Sequence, residues 1–263
     1  MLRFVINLDS SKDRLCSISQ RLNELGVSFV RIPAINGRAL SDQQISEITY
    51  PYNHYESRVR FTRELTKGEV GCFLSHRKCW ERLLESDEQW ALIMEDDIQI
   101  SSLAPSYMLS AEWVPSGIDI CQLSCGKASL EGTIRKEFHK VDNALSLVAP
   151  LTPAPVGCMC YLISRNAARL ALNLSKKLPA PVDDFLFTLW FDIANTFVVW
   201  RTSPTLVIPA DGIESDIGSR TKKDVRKAPF FVRHGLTRFL MDRNIRKFQK
   251  WAGPEKHRTT SMT

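Results

Sequence analysis

The 263 residues contain no glycine-rich phosphate loop and no Walker pattern, so nothing in the sequence supports P-loop phosphate transfer. Internal repeats and low-complexity tracts are absent as well. The longest uncharged stretch, residues 143–164, is broken by Pro150, Pro153, Pro155 and several polar residues, which predicts strands and not a membrane span. No charged n-region, apolar h-region and cleavage site precede the strand-like run Met1–Ile6, so no secretory signal is expected. Cysteine is present but unpaired in number: seven residues (16, 72, 79, 121, 125, 158 and 160) lie in otherwise apolar segments. That pattern predicts packed, reduced thiols and a cytoplasmic compartment, not a disulfide scaffold. Cys158-Met159-Cys160 has the wrong spacing for a zinc knuckle, and no His pair accompanies it.

What is present is an ordinary globular composition, 44% apolar and 24% charged, long enough for one large α/β domain or two small ones. The net charge of +6 hides an asymmetry. Residues 220–263 hold 13 Lys/Arg against 3 Asp/Glu, whereas residues 1–219 hold 22 against 26. An acidic body with a basic C-terminal extension is implied, and such an extension seeks an anionic partner, lipid head groups or nucleic acid.

Local patterns outline the elements. Phe4–Leu8 predicts a strand. Ser10 or Ser11 then caps a helix with Leu15, Ile18, Leu22 and Leu25 on one face, closed by Gly26. Val27–Ile32 completes a strand–helix–strand unit that suggests a parallel crossover. Residues 38–64 predict a long loop with a short helix. Thr66-Lys67-Gly68-Glu69 is a capping box opening a helix that buries Val70, Phe73, Leu74, Trp80, Leu83 and Leu84. Ala91–Met94, residues 117–124, Asn143–Leu151, Gly157–Ser164, Thr196–Trp200 and Leu206–Ile208 predict strands. A helix is expected from Ser164 to about Leu178.

The strand Ala91–Met94 ends in Glu95-Asp96-Asp97 and then turns apolar again at Ile98 and Ile100. Three carboxylates inside a fold are costly unless a cation sits among them, and hard divalent ions take carboxylate oxygens. The first expectation is therefore a metal-bridged nucleotide site, with a solvated acidic turn as the alternative. Asn7 lies at the end of the first strand, where open α/β sheets bind ligands. Arg14 and the turn Asn36-Gly37-Arg38 are candidates for phosphate or base contact, or else plain turn chemistry beside a surface arginine. Asp183-Asp184 follow the rigid Pro179–Val182 segment. One is a candidate general base, the alternative being a helix cap. Ser75-His76 lies near enough to the helix start to touch a nucleotide, although a lone His on that face is commonly a core residue. Ser215-Asp216 is a weaker polar candidate.

Together these pieces resemble glycosyltransferase family 25, the bacterial lipooligosaccharide (lipopolysaccharide) glycosyltransferases. The resemblance is carried by Val5-Ile6-Asn7-Leu8 with Arg14, by Leu65–His76 with Trp80, by Ile93–Asp97 and by Pro181-Val182-Asp183. Gly157…Tyr161-Leu162-Ile163-Ser164 with Ala167-Ala168, and Pro204…Ser215-Asp216-Ile217, also fit. It implies a GT-A-like α/β domain over residues 1–220 with a mixed, mostly parallel central sheet. It also implies a UDP-sugar donor, a Mn²⁺ or Mg²⁺ ion, and inverting transfer, commonly of β-galactose, onto a lipid-linked outer-core sugar. Carried over by position, Glu95-Asp96-Asp97 is implied to be the acidic metal motif, with Asp97 as the direct metal ligand and Glu95 as a second metal residue. Asn7 and Arg14 are implied to help hold the nucleotide; from their places in the chain, Leu8, Asn36, Gly37, Ser75, His76, Glu95 and Asp96 are further expected at the donor, and Ser215 and Asp216 at the acceptor. Asp183 or Asp184 is the base that inverting chemistry requires.

Residues 221–263 lie beyond these motifs and predict a bent or two-piece basic helix. Its apolar face moves from Val232, Leu236, Phe239 and Leu240 to Met241, Ile245 and Phe248. With Trp251 it suits an anionic membrane surface at the inner face of a bacterial inner membrane, with no nucleic acid expected. A helix packed on the domain is the alternative. Two rival functions use the same features: a metal-dependent phosphoryl or nucleotidyl transferase, and a tail-driven membrane- or nucleic-acid-binding protein.

Overall fold

A computed structural model describes residues 1–50, 64–124, 135–150, 157–187 and 196–210. The first unit is the expected crossover. Strand β1 (Leu2–Asn7) leads into helix α1 (Lys12–Glu24), which buries Ile18 and Leu22. The chain reverses at Gly26, whose φ of 70° is the left-handed value that a helix C-terminus favours. Strand β2 (Val30–Pro33) then pairs parallel to β1.

A 3₁₀ turn (Gly37–Ala39) and helix α2 (Asp42–Ile48) occupy the described part of the region predicted as a long loop. Helix α2 has its own capping box, Ser41 with Gln44. Helix α3 (Lys67–Leu84) begins at the box foreseen in the sequence. Thr66 Oγ1 accepts from the Glu69 N–H, and the Glu69 carboxylate accepts from the Thr66 N–H at 2.9 Å.

Strand β3 (Trp90–Glu95) follows and pairs parallel to β1, with Ile6 opposite Glu95. After it come strand β4 (Ile98–Ile100), the short helix α4 (Pro105–Met108), and strands β5 (Ile120–Gln122), β6 (Arg135–Lys140), β7 (Ser146–Pro150) and β8 (Cys160–Ser164). Helices α5 (Arg165–Leu174) and α6 (Val182–Phe187) and strands β9 (Val199–Ser203) and β10 (Val207–Pro209) complete the described elements. The predicted helix after Ser164 therefore stops at Leu174, with Ser164 as its cap.

One eight-stranded sheet runs β2-β1-β3-β8-β5-β9-β7-β6, and β4 pairs with β10 in a small second sheet. The fold class is α/β with a mixed sheet, as expected. The balance is less parallel than the sequence suggested: β1/β2, β1/β3 and β5/β9 are parallel, and the other four pairings of the large sheet are antiparallel. Strand β8 inserts antiparallel beside β3, and an apolar run buried on both faces carries no signal of strand direction. Strand β6 was not foreseen.

The sheet divides two cores. Phe4, Ile6, Ala91, Ile93, Tyr161 and Ile163 face α3, α5 and α6, packing with Phe73, Trp80 and Phe185. Val5, Leu92, Met94, Cys160 and Leu162 face the other way, toward Ile18 and Leu22 of α1 and Met108 of α4. This alternation fixes the register of β3, and hence where its terminal carboxylates emerge. No helix among the described residues is long and apolar enough to cross a membrane. The division at residue 220 and the basic extension lie outside the described residues.

Helix α3 meets the 3₁₀ turn backbone to backbone. A Cβ on Gly71 would lie 2.5 Å from both the Gly37 nitrogen and the Ile35 carbonyl oxygen. In an ordinary helix, Gly→Ala stabilises by about 1 kcal/mol. Here Gly71→Ala is expected instead to destabilise by roughly 1–3 kcal/mol, the usual cost of overpacking. Urea unfolding measures it, and a stabilised variant would contradict this contact.

Candidate active site

The parallel strands β1, β2 and β3 end side by side at Asn7, Pro33 and Glu95, the edge at which open α/β sheets bind ligands. The 3₁₀ turn after β2 and the first half of α3 wall that edge. Together they enclose a cavity of about 220 Å³. Asn7, Leu8, Arg14, Asn36, Gly37, Ser75, His76, Glu95, Asp96 and Asp97 all line it, so ten of the residues singled out from sequence converge.

Their hydrogen bonds give them distinct tasks. Asn7 is buried, and its Nδ2 donates to Asp96 Oδ2 at 2.6 Å and to the Ser11 carbonyl at 2.9 Å. Asn7 Oδ1 accepts from Arg31 Nε at 3.0 Å. Arg14 lies 3.5 Å from Asp96 Oδ1 and donates to Ser11 Oγ. In this structure Asn7 and Arg14 thus hold Asp96. Ser75 Oγ accepts from the Ile35 N–H at 2.8 Å and donates to the Gly71 carbonyl at 2.7 Å, pinning the segment after β2 to α3.

Asp97 is the exception. Its Oδ1 is buried, with no hydrogen-bond partner among the described residues. Burial, followed by the charges of Glu95 and Asp96, pushes its carboxyl up to about 7. A buried, unsatisfied carboxylate oxygen near two like charges fits a hard divalent cation. Burial also raises Asp96, against the Asn7 hydrogen bond and the Arg14 charge.

Glu95 turns toward α3. Its Oε1 lies 3.3 Å from His76 Nε2 and accepts from Cys158 Sγ at 3.1 Å. Burial alone would raise Glu95, but the His76 hydrogen bond and charge outweigh it and hold the carboxyl below the ordinary range. Burial likewise opposes protonation of His76, yet hydrogen bonds to Cys72 and Glu95 raise the imidazole to about 9. His76 Nδ1 lies 2.9 Å from the Tyr161 hydroxyl, which accepts from Trp80 Nε1 at 3.0 Å. His76 therefore lines the cavity while its ring is anchored in the core.

A second cavity of about 80 Å³ adjoins the first, with Cys72 and Glu95 in the lining of both. Its other walls are Glu69, Gly157, Cys158, Pro181, Val182 and Asp183. Of the two adjacent acids, Asp183 lines this cavity and Asp184 does not. Asp183 lies in the first turn of α6, where its Oδ1 accepts from the Asp184 N–H at 2.9 Å. Ser215 and Asp216 lie outside the described residues. Sequence reasoning missed Cys72, Cys158 and Tyr161. The one local signal was Cys72 and His76 four residues apart, on one face of α3.

The sequence pattern of glycosyltransferase family 25 (LPS biosynthesis protein) matches residues 1–186. A glycosyltransferase 25 family member of Aedes aegypti is 33% identical over 241 residues, covering 84% of this chain and 38% of that protein. Human procollagen galactosyltransferase 2 is 28% identical over 187 residues, covering 70% of this chain and 29% of that protein. The chain thus spans well under half the length of these relatives. Among solved structures, a glycosyltransferase involved in the glycosylation of the major capsid of PBCV-1 aligns at a TM-score of 0.38 and 9% identity, over 86% of this chain and 98% of that one.

Asp97 binds its proton more tightly folded than unfolded, so stability falls as pH rises from 3.8 through about 7, and the full cost stands above that. A bound cation relieves it. Mg²⁺ is therefore expected to raise the melting temperature more at about pH 8 than at about pH 6. Asp97→Asn is expected to stabilise the ion-free protein at the higher pH and to abolish the Mg²⁺ response, read by thermal unfolding. A full response in that variant would contradict the assignment.

Proposed function

The chain belongs to glycosyltransferase family 25, and from that membership we propose a metal-dependent inverting glycosyltransferase that moves galactose, in β linkage, from a UDP-sugar to a lipooligosaccharide (LPS) core acceptor. The observation that carries this reading is the pair of adjoining cavities: one with the unpartnered Asp97 oxygen at the strand ends, the other with Asp183. Galactose is favoured by the procollagen galactosyltransferases among the relatives, and the acceptor by the LPS biosynthesis role in the family description.

The donor diphosphate occupies the larger cavity, with the Asn36-Gly37-Arg38 turn at its side. Asp97 would be the principal ligand of a Mn²⁺ or Mg²⁺ ion, beside Asp96 and Glu95. Such an ion would supply charge neutralisation of the diphosphate and Lewis-acid help to the departing UDP. Asn7 and Arg14 keep Asp96 in place, so they support the donor site through that carboxylate. In the smaller cavity, Asp183 takes the proton of the acceptor hydroxyl as its oxygen attacks the anomeric carbon from the face opposite UDP. The bond between that carbon and the UDP oxygen breaks, and its electron pair leaves with UDP. Residues 221–263, rich in Lys and Arg, would rest on an anionic lipid surface at the cytoplasmic face of the membrane that carries the acceptor.

Two variants separate the roles. Asp97→Ala is expected to lose ion-dependent UDP binding. Asp183→Asn is expected to bind UDP-sugar like the parent while its turnover falls by about 10²–10⁴-fold, the usual contribution of a positioned base. Turnover retained in Asp183→Asn would remove Asp183 from the mechanism.

A further inference from the structure

Directly behind the carboxylate triplet, Cys72, His76, Glu95 and Cys158 bring one donor atom each to within 4.8 Å of one another. We propose that these four side chains form a closed, tetrahedral Zn²⁺ site, distinct from the hard-ion site at Asp97. The donor set is the first argument. Two thiols and an imidazole select a borderline-soft ion such as Zn²⁺, whereas Asp96 and Asp97 offer only oxygen.

Spacing is the second argument. Zinc bonds of about 2.0–2.3 Å place neighbouring ligands of a tetrahedron roughly 3.3–3.8 Å apart. Cys158 Sγ lies 3.1 Å from Glu95 Oε1 and 3.3 Å from His76 Nε2, and His76 Nε2 lies 3.3 Å from Glu95 Oε1. Small side-chain movements open these edges around an ion.

The ligands also sit on rigid supports. Cys72 and His76 are one turn apart on α3, Glu95 ends β3, and Cys158 lies just before β8. His76 and Cys158 are 1% and 5% exposed. The Tyr161 hydroxyl, 2.9 Å from His76 Nδ1 and held by Trp80, can accept the Nδ1 proton and leave the Nε2 lone pair toward the thiols. Metal-bound histidines have partners of this kind. Access exists because Cys72 and Glu95 line both cavities.

With four protein ligands and no open position, the site is structural. Binding displaces the protons held by the two thiols and by His76 Nε2, and ties α3 to β3 and to the start of β8. It fixes Glu95, and so the strand end on which Asp96 and Asp97 depend. Cys158 and Cys160 do not chelate together, as their spacing indicates. It is the fold that carries Cys158 to a partner on α3.

The protein, purified reduced and without chelator, is expected to hold about one zinc per chain. Replacement by Co²⁺ is expected to give a thiolate-to-cobalt charge-transfer band and the intense d–d bands of tetrahedral cobalt. Cys72→Ser and Cys158→Ser are expected to lose the zinc and the charge-transfer band, Tyr161→Phe to weaken zinc binding about tenfold, and Asp97→Ala to keep zinc at the parent level. The proposal is overturned if the parent shows neither zinc nor the cobalt spectrum, if both cysteine variants retain metal, or if Asp97→Ala alone removes it. The parent's cobalt spectrum decides the matter should the cysteine variants fail to fold. These assays need no donor sugar, so zinc binding and sugar transfer succeed or fail separately.

Discussion

Three adjacent carboxylates at the end of a buried strand repel one another, and much of the surrounding structure answers that repulsion. Glu95, Asp96 and Asp97 are each met differently. Glu95 is met by His76 and Cys158 on the α3 side of the sheet. Asp96 is met by Asn7 from the neighbouring strand and by Arg14 from the first helix. Asp97 keeps a buried oxygen without a partner among the described residues. The parallel trio β2-β1-β3 brings these answers to one sheet edge, and the two-sided core fixes the register that presents them there.

The unanswered charge is where the chemistry belongs. A site that satisfied all three acids internally would have no attraction for a cation or for the diphosphate it accompanies. One that satisfied none would be too unstable to hold its shape. Asp183 stands apart in the adjoining cavity, across a wall made by Cys72 and Glu95, so in the proposed reaction donor and acceptor would be held by different elements. That wall belongs to the same cluster assigned to Zn²⁺, which makes the position of Glu95 common to both ion sites.

The sequence revealed features set by neighbouring residues. The Thr66–Glu69 capping box, the acid triplet after an apolar strand and the crossover closed at Gly26 could each be seen in one window, and all are present. Long-range pairing was invisible. Asn7 and Arg14 were expected to contact the donor, and both line the cavity, but their contacts with Asp96 bridge more than eighty residues. Cys158 and Cys72 are similarly remote in sequence, and neither had a local signature linking it to the other. The antiparallel insertion of β8 beside β3 escaped notice because both strands are buried on both faces, which erases the alternation that marks an exposed face. Strand β6 lies at the end of the sheet, and its one large apolar residue, Phe138, is about half exposed, so it had no apolar pattern to detect.

The most direct test of the account is UDP release from UDP-galactose, UDP-glucose and UDP-N-acetylglucosamine, measured with and without Mn²⁺. Slow release from UDP-galactose that requires the ion is the predicted result. Failure of the protein to bind any of the three donors, even with Mn²⁺ present, would contradict it.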